Sequence, residues 1–86
     1  MAGLLGSGST ITPPTPMASY AINHNGFFTL TLQNGEVWQQ NDGDSNMSNW
    51  HKPAASYIVT VTAGAVGSSN MEVKGEAAFY KVKRLR

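Results

Sequence analysis

The 86-residue sequence contains no cysteine. This absence excludes disulfides and thiolate metal sites, and the two histidines, His24 and His51, are too few to form a zinc site without several carboxylates. Small domains that lack disulfides and bound metals commonly gain stability from a partner chain. We therefore expect no metal, no cofactor and a contact with another protein.

Charged residues are also scarce, at 13% of the chain, and none precedes Glu36. All six basic residues lie at Lys52 or later, and four of them fall in the terminal stretch KVKRLR. The favoured interpretation of this end is a charged strand that resists edge-to-edge aggregation. A surface for nucleic acid and a surface for an acidic protein are alternatives. A net charge of +1 argues against nucleic acid.

Long apolar runs are absent as well. No segment approaches the roughly 20 apolar residues of a membrane-spanning helix. The run Leu4-Leu5 is far too short for a signal peptide and has no basic residues before it. If the sequence is the complete gene product, we expect it to be made in the cytoplasm, without export and without membrane insertion.

What is present divides into two parts, an arm over residues 1–17 and a body over residues 18–86. The arm is rich in Gly, Ser, Thr and Pro, which fit neither a helix nor a central strand. Its apolar residues, Leu4, Leu5 and Ile11, are unnecessary in a flexible tether, and we interpret them as anchors that dock on another chain. Disorder of the arm, and folding of the arm onto its own body, are the alternatives.

The body shows the alternation of short β-strands. Apolar residues 28, 30 and 32 alternate with polar ones, which is typical of a half-buried strand. The following Asn34-Gly35 predicts a two-residue hairpin turn. That turn would pair Leu32 with Val37 and Thr31 with Trp38, and would place Trp38 on the outer face unless a bulge intervenes.

The same period continues to the end of the chain. Residues 57–62 and 70–73 predict two further strands, and residues 77–86 predict a last strand with Tyr80 and Val82 on one face and Phe79 on the other. No window has the period of a helix. We predict an all-β fold, a small five- to six-stranded antiparallel barrel of SH3-like or OB-like type with an extended N-terminal arm; a flat meander is the alternative.

Motifs of catalysis and ion binding are incomplete. The stretch beginning at Asp42 superficially resembles a calcium loop, but Pro53 stands where the bidentate glutamate belongs and the glycine is misplaced. The sequence has no GxSxG elbow and no P-loop lysine. We predict that the protein is not an enzyme.

The two tryptophans and Phe79 are the remaining candidates for contact. Trp50 could stack against a partner, although capping the open end of the barrel is the favoured interpretation. Trp38 and Phe79, if they lie on outer faces, would mark a contact surface that the arm could cover. The candidate partner-binding residues are therefore Leu4, Leu5, Ile11, Trp38, Trp50 and Phe79.

The stretches FTLTLQNGEVWQQ, WHKPAASYIVTVTAGAVGSSNMEV and AFYKVKRLR resemble a small β-domain found at the end of many uncharacterised proteobacterial proteins. The resemblance covers about residues 27–86. It implies a small β-domain and no particular activity. In that family the position of Gln39 or Gln40 is often Arg, so the resemblance leads us to expect that a charged contact made there is missing from this chain.

The opening MAGLLGSGS, followed by PPTP, resembles the N-termini of small virion proteins of tailed bacteriophages, whose arms lace neighbouring subunits together. The resulting hypothesis is a non-enzymatic structural protein, a minor or decorating component of a bacteriophage virion. It would be synthesised in the host cytoplasm, be present in many copies and dock on other virion proteins through its arm. The alternative is a bacterial binding module that recognises an envelope component or polymer through exposed aromatics.

Overall fold

A computed structural model describes residues 9–86. Six strands follow one another along the chain: β1 (Thr10–Ile22), β2 (Phe28–Leu32), β3 (Val37–Gln40), β4 (Ile58–Ala63), β5 (Ser69–Val73) and β6 (Phe79–Arg84). Short 3₁₀ turns at Ala54–Ser56 and Ala65–Gly67 are the helical elements of this part of the chain. No helix within residues 9–86 has the length and apolar character needed to cross a membrane.

The strands form a closed barrel in the order β1-β2-β3-β6-β5-β4, with β4 returning to β1, and every pairing is antiparallel. Two meanders, β1-β2-β3 and β4-β5-β6, are joined along the β3–β6 and β1–β4 seams. The predicted all-β antiparallel barrel is confirmed, with six strands. Closure rules out the flat meander and leaves no open sheet edge within residues 9–86 for pairing with another chain.

The first strand contains residues that the sequence analysis assigned to the arm. Thr10 to Pro16 pair with β4, and Met17 to Ile22 pair with β2, so the predicted boundary at residue 17 is wrong for residues 10–17. The prolines are tolerated because Pro13 and Pro14 lie where the register with β4 shifts. Residues 1–8, with the predicted anchors Leu4 and Leu5, lie outside the described residues.

β1 changes partner in its middle and is hydrogen-bonded on both sides there. The Pro16 carbonyl accepts a 2.9 Å bond from the Gln33 amide, while the Met17 amide donates a 2.9 Å bond to the Tyr57 carbonyl. The Met17 side chain is fully buried, as is that of Thr12. This segment therefore forms part of the barrel wall.

The turn between β2 and β3 has three residues instead of the predicted two. The Gly35 amide donates to the Leu32 carbonyl and the Leu32 amide donates to the Glu36 carbonyl, both at 2.9 Å. Gly35 has φ +94°, which is the left-handed conformation expected at the third position of such a loop. The extra residue shifts the register by one and pairs Leu30 with Trp38, so the predicted outward placement of Trp38 is wrong.

The barrel interior is filled by the alternating apolar face of each strand. The alternation predicted for β2 and β6 is confirmed: residues 28, 30 and 32 are buried, as are Tyr80 and Val82, while Phe79 is exposed. The buried apolar side chains are Met17, Phe28, Leu30, Leu32, Trp38, Trp50, Tyr57, Val59, Val61, Met71, Val73, Tyr80 and Val82. Two polar side chains, Thr12 and Gln40, are buried with them.

The β2–β3 turn can be tested by replacing its glycine. We expect Gly35→Ala to lower the free energy of unfolding by about 1–2 kcal/mol, because an L-residue is disfavoured in the left-handed region. No other atom lies within 4 Å of the added methyl group, so the conformation alone sets the cost. The measurement is urea unfolding.

Gly43→Ala is the matched control for that experiment. The space around Gly43 is equally open and its φ is not left-handed, so we expect a change of about 0.5 kcal/mol or less. Equal effects of the two substitutions would contradict the three-residue turn.

Candidate functional site

Trp50 closes one end of the barrel. It comes from the long β3–β4 connection and is only 4% exposed. Its ring contacts four other aromatic rings at centroid distances of 4.7–5.7 Å, those of Tyr20, Phe28, Tyr57 and Tyr80. The capping interpretation is therefore confirmed, and Trp50 is not exposed on the surface of the described chain as a partner-binding residue would be.

Two tyrosine hydroxyls form hydrogen bonds to the backbone of the β3–β4 connection, which contains Trp50. The Tyr57 hydroxyl accepts hydrogen bonds from the amides of His51 (3.0 Å) and Lys52 (3.1 Å). The Tyr20 hydroxyl donates a 2.8 Å bond to the Lys52 carbonyl. Burial raises the pKa of Tyr80 at this end, although the neighbouring Trp50 indole favours its ionised form. The exposed His51 ring lies 3.0 Å from Asn49 Oδ1, outside this cluster.

Glu36 directly precedes β3, and its carboxylate contacts side chains of three strands: Thr12 of β1, Trp38 of β3 and Arg84 of β6. Its Oε1 accepts hydrogen bonds from Thr12 Oγ1 (2.6 Å) and Trp38 Nε1 (2.9 Å), and its Oε2 is 4.0 Å from the Arg84 guanidinium. Burial alone would raise the pKa of Glu36. The hydrogen bonds and the Arg84 charge outweigh that effect, and the pKa is lowered from 4.5. Trp38, 2% exposed, is thus an interior residue and not the predicted contact residue.

Phe79 is the one predicted aromatic contact residue that the structure leaves exposed, at 58%. It lines an open groove of about 570 Å³ together with residues of the β3–β4 connection and of β5 and β6. The lining residues are Asn41, Gly43, Asp44, Ser45, Asn46, Asn70, Phe79 and Lys81.

The groove wall is held by a buried amide that the sequence analysis did not single out. Gln40 Nε2 donates 2.7 Å hydrogen bonds to Asp44 Oδ2 and to the Asn46 carbonyl, and its Oε1 accepts a bond from the Phe28 amide. Asn46 Nδ2 in turn donates a 2.7 Å bond to the Phe79 carbonyl. Gln40 could have been identified from the sequence only with the correct β2–β3 register, which places it on the inner face.

Asp44 is committed to this internal network. Besides Gln40, its carboxylate accepts bonds from the amides of Lys81 (3.3 Å) and Asn46 (3.4 Å). The stretch that superficially resembles a calcium loop therefore uses its second aspartate to brace the groove wall. Among residues 9–86, no group of three or more His, Cys, Asp or Glu side chains is placed to hold a metal ion.

Ile11, the remaining predicted anchor, is 41% exposed on β1. The strand order separates β1 from β6 by two strands in either direction, so Ile11 and Phe79 occupy different surfaces. The structure thus does not bring the predicted partner-binding residues together: two are buried, two lie outside the described residues, and two are exposed apart from each other.

No protein-family model, no curated protein and no solved structure matches the chain. The resemblances to a proteobacterial β-domain and to phage virion arms therefore stay predictions.

The role of Glu36 can be tested through pH. A lowered carboxyl pKa in the folded state contributes stability above the pKa of the unfolded chain, and that contribution is lost as the pH falls through the folded pKa. We expect the free energy of unfolding of the wild type to fall as the pH drops below about 4.5, and Glu36→Gln to remove part of that fall. At pH 7 the variant should lose about 1–2 kcal/mol, since its hydrogen bonds are no longer charge-assisted.

The measurement is urea unfolding between pH 3 and pH 7, followed by tryptophan fluorescence. Parallel pH profiles for Glu36→Gln and the wild type would show that the carboxylate does not carry this contribution.

Proposed function

We propose that the protein is a non-enzymatic structural component that docks on other proteins, as a minor or decorating component of a bacteriophage virion. The observation that carries the proposal is the distribution of apolar side chains. The barrel interior is filled, while six large apolar side chains of residues 9–86 are exposed. These are Ile11, Ile22, Met47, Val66, Phe79 and Leu85.

The start of the described chain supplies an attachment point. The Ala63 amide donates a 2.9 Å bond to the Ser9 carbonyl, so the described chain begins beside the end of β4. Burying Leu4, Leu5 and Ile11 on a neighbouring chain would contribute about 5–8 kcal/mol before ordering costs. Repetition over many copies would add to this contribution.

Val66 supports the same end of the barrel as a contact surface. It lies three residues after the end of β4, its side chain is fully exposed, and its φ of 54° places a β-branched residue in the left-handed region. Such a conformation costs on the order of 1–3 kcal/mol, and residues strained in this way cluster at functional sites. An exposed apolar side chain on a strained backbone residue is suited to docking on a partner.

A second candidate function is a module that recognises an envelope component or polymer. Trp38 and Trp50 do not favour it, because both are buried. The groove beside Phe79 does favour it, because the groove combines an exposed ring with hydrogen-bonding side chains.

The docking proposal is tested with the full chain and three variants. We expect the full chain to sediment with phage particles from an induced lysate, or to form a defined oligomer by light scattering. Deletion of residues 2–8 and Ile11→Ser should each remove that association while leaving the barrel folded, because neither change removes a buried side chain of the described chain.

Ile22→Ser is the matched control, since Ile22 is also 41% exposed but lies at the opposite end of β1. It should associate as the wild type does. A full-length chain that stays monomeric and absent from particles would refute the docking proposal, as would equal losses for Ile11→Ser and Ile22→Ser.

A further inference from the structure

We propose that the groove beside Phe79 binds a pyranose unit of a polysaccharide. The inference rests on the second candidate function and is independent of docking through the N-terminal end. It follows from three properties of the groove: an exposed aromatic ring, hydrogen-bonding side chains around that ring, and a wall that is ordered before any ligand arrives.

The exposed ring provides the apolar contact. Phe79 is the first residue of β6 and faces outward, opposite the buried Tyr80. The face of an aromatic ring carries a partial negative charge, and the axial C–H groups of a pyranose carry a partial positive one. A sugar ring laid on Phe79 would therefore be held by stacking as well as by the removal of apolar surface from water.

Polar side chains line the groove together with the ring. Lys81 Nζ donates a 3.1 Å bond to Asn70 Oδ1, which uses one of the three donors of its ammonium group. Asn41 and Ser45 also line the groove, and the Asn41 amide donates a 2.8 Å bond to the Lys81 carbonyl. Amides, hydroxyls and ammonium groups can each bond to sugar hydroxyls, whereas a purely apolar ligand would leave them unpaired.

The wall is fixed in advance by the Gln40 network. The buried Gln40 side chain holds both Asp44 and the Asn46 carbonyl, and Asn46 holds the Phe79 carbonyl. Ordering these groups therefore adds little to the cost of binding. The same network occupies the Asp44 carboxylate, which makes the groove a poor site for a free cation.

Size and charge also favour a sugar. The groove volume of about 570 Å³ lies within the range of small-ligand sites, roughly 300–1,000 Å³. Its charged lining residues are one acid, Asp44, and one base, Lys81, which suits an uncharged polyol better than the phosphate backbone of a nucleic acid. For a single hexose in an open groove we expect a dissociation constant on the order of 1 mM, strengthened when many copies face one polymer.

The test is a titration of the full chain followed by amide NMR. The probes are maltohexaose, chitohexaose and dextran oligosaccharides, followed by an array of bacterial surface polysaccharides. Oligothymidylate is the nucleic-acid comparison. We expect saturable shifts confined to residues 41–46, 70 and 79–81 with at least one saccharide, insensitive to salt.

Three variants identify the role of the ring. Phe79→Ala should weaken saccharide binding by about tenfold, because it removes the stacking surface. Phe79→Trp should retain binding. Leu85→Ala removes another exposed apolar side chain, outside the groove, and should leave binding unchanged. The dispersion of the amide spectrum checks that each variant is folded.

Several outcomes would overturn the proposal: no saccharide shifting the groove resonances at 10 mM, shifts that Phe79→Ala leaves intact, or preferential, salt-sensitive binding of oligothymidylate. Particle association that is lost in Phe79→Ala without any saccharide binding would also overturn it, and would assign the groove to a protein partner. Docking through Ile11 is measured separately, so the two proposals can fail independently.

Discussion

The structure depends on the pairing of β1 with two strands at once. β1 contains three prolines and therefore lacks three amide donors. Its first half nevertheless closes the barrel by pairing with β4, and its second half pairs with β2. Register shifts around Thr12 and between Met17 and Ser19 let the strand bend, and Thr12 and Met17 insert their side chains into the interior. Through Thr12, β1 also reaches Glu36, which holds Trp38 and faces Arg84. Closure and the packing of the core are therefore coupled.

Closure determines where a function can reside. Trp50 with its surrounding rings fills one end of the barrel, and the interior is occupied by packed side chains. Any binding partner must therefore be recognised by the outer surface of the barrel. On that surface the structure has two separate features, the N-terminal end of β1 with Ile11 and the groove beside Phe79, and two strands divide them. Two separate surfaces on one barrel agree with the proposal of a component that joins one partner to another.

The strands with regular alternation could be predicted from the sequence, because that pattern depends only on local neighbours. Residues 28–32, 57–61 and 80–82 face inward and outward as their spacing predicts. The extra residue in the Asn34-Gly35 turn could not be predicted from the sequence, because turns of two and of three residues both accept this pair. The resulting shift of one residue moves Trp38 and Gln40 to the inner face. The proline-rich strand was missed for a related reason. Its stability comes from pairing with β4, whose paired residues lie 42 to 52 positions away, and not from local propensity.

The most direct test of this account compares a chain starting at residue 9 with one starting at residue 18, by amide NMR dispersion and urea unfolding. Residues 9–17 contribute the whole β1–β4 seam, with the buried side chains of Thr12 and Met17. The account predicts that the chain of residues 9–86 gives a dispersed spectrum and a cooperative transition, and that the chain of residues 18–86 gives neither. A folded chain of residues 18–86 with native dispersion would contradict the account, and would return residues 10–17 to the role of an arm.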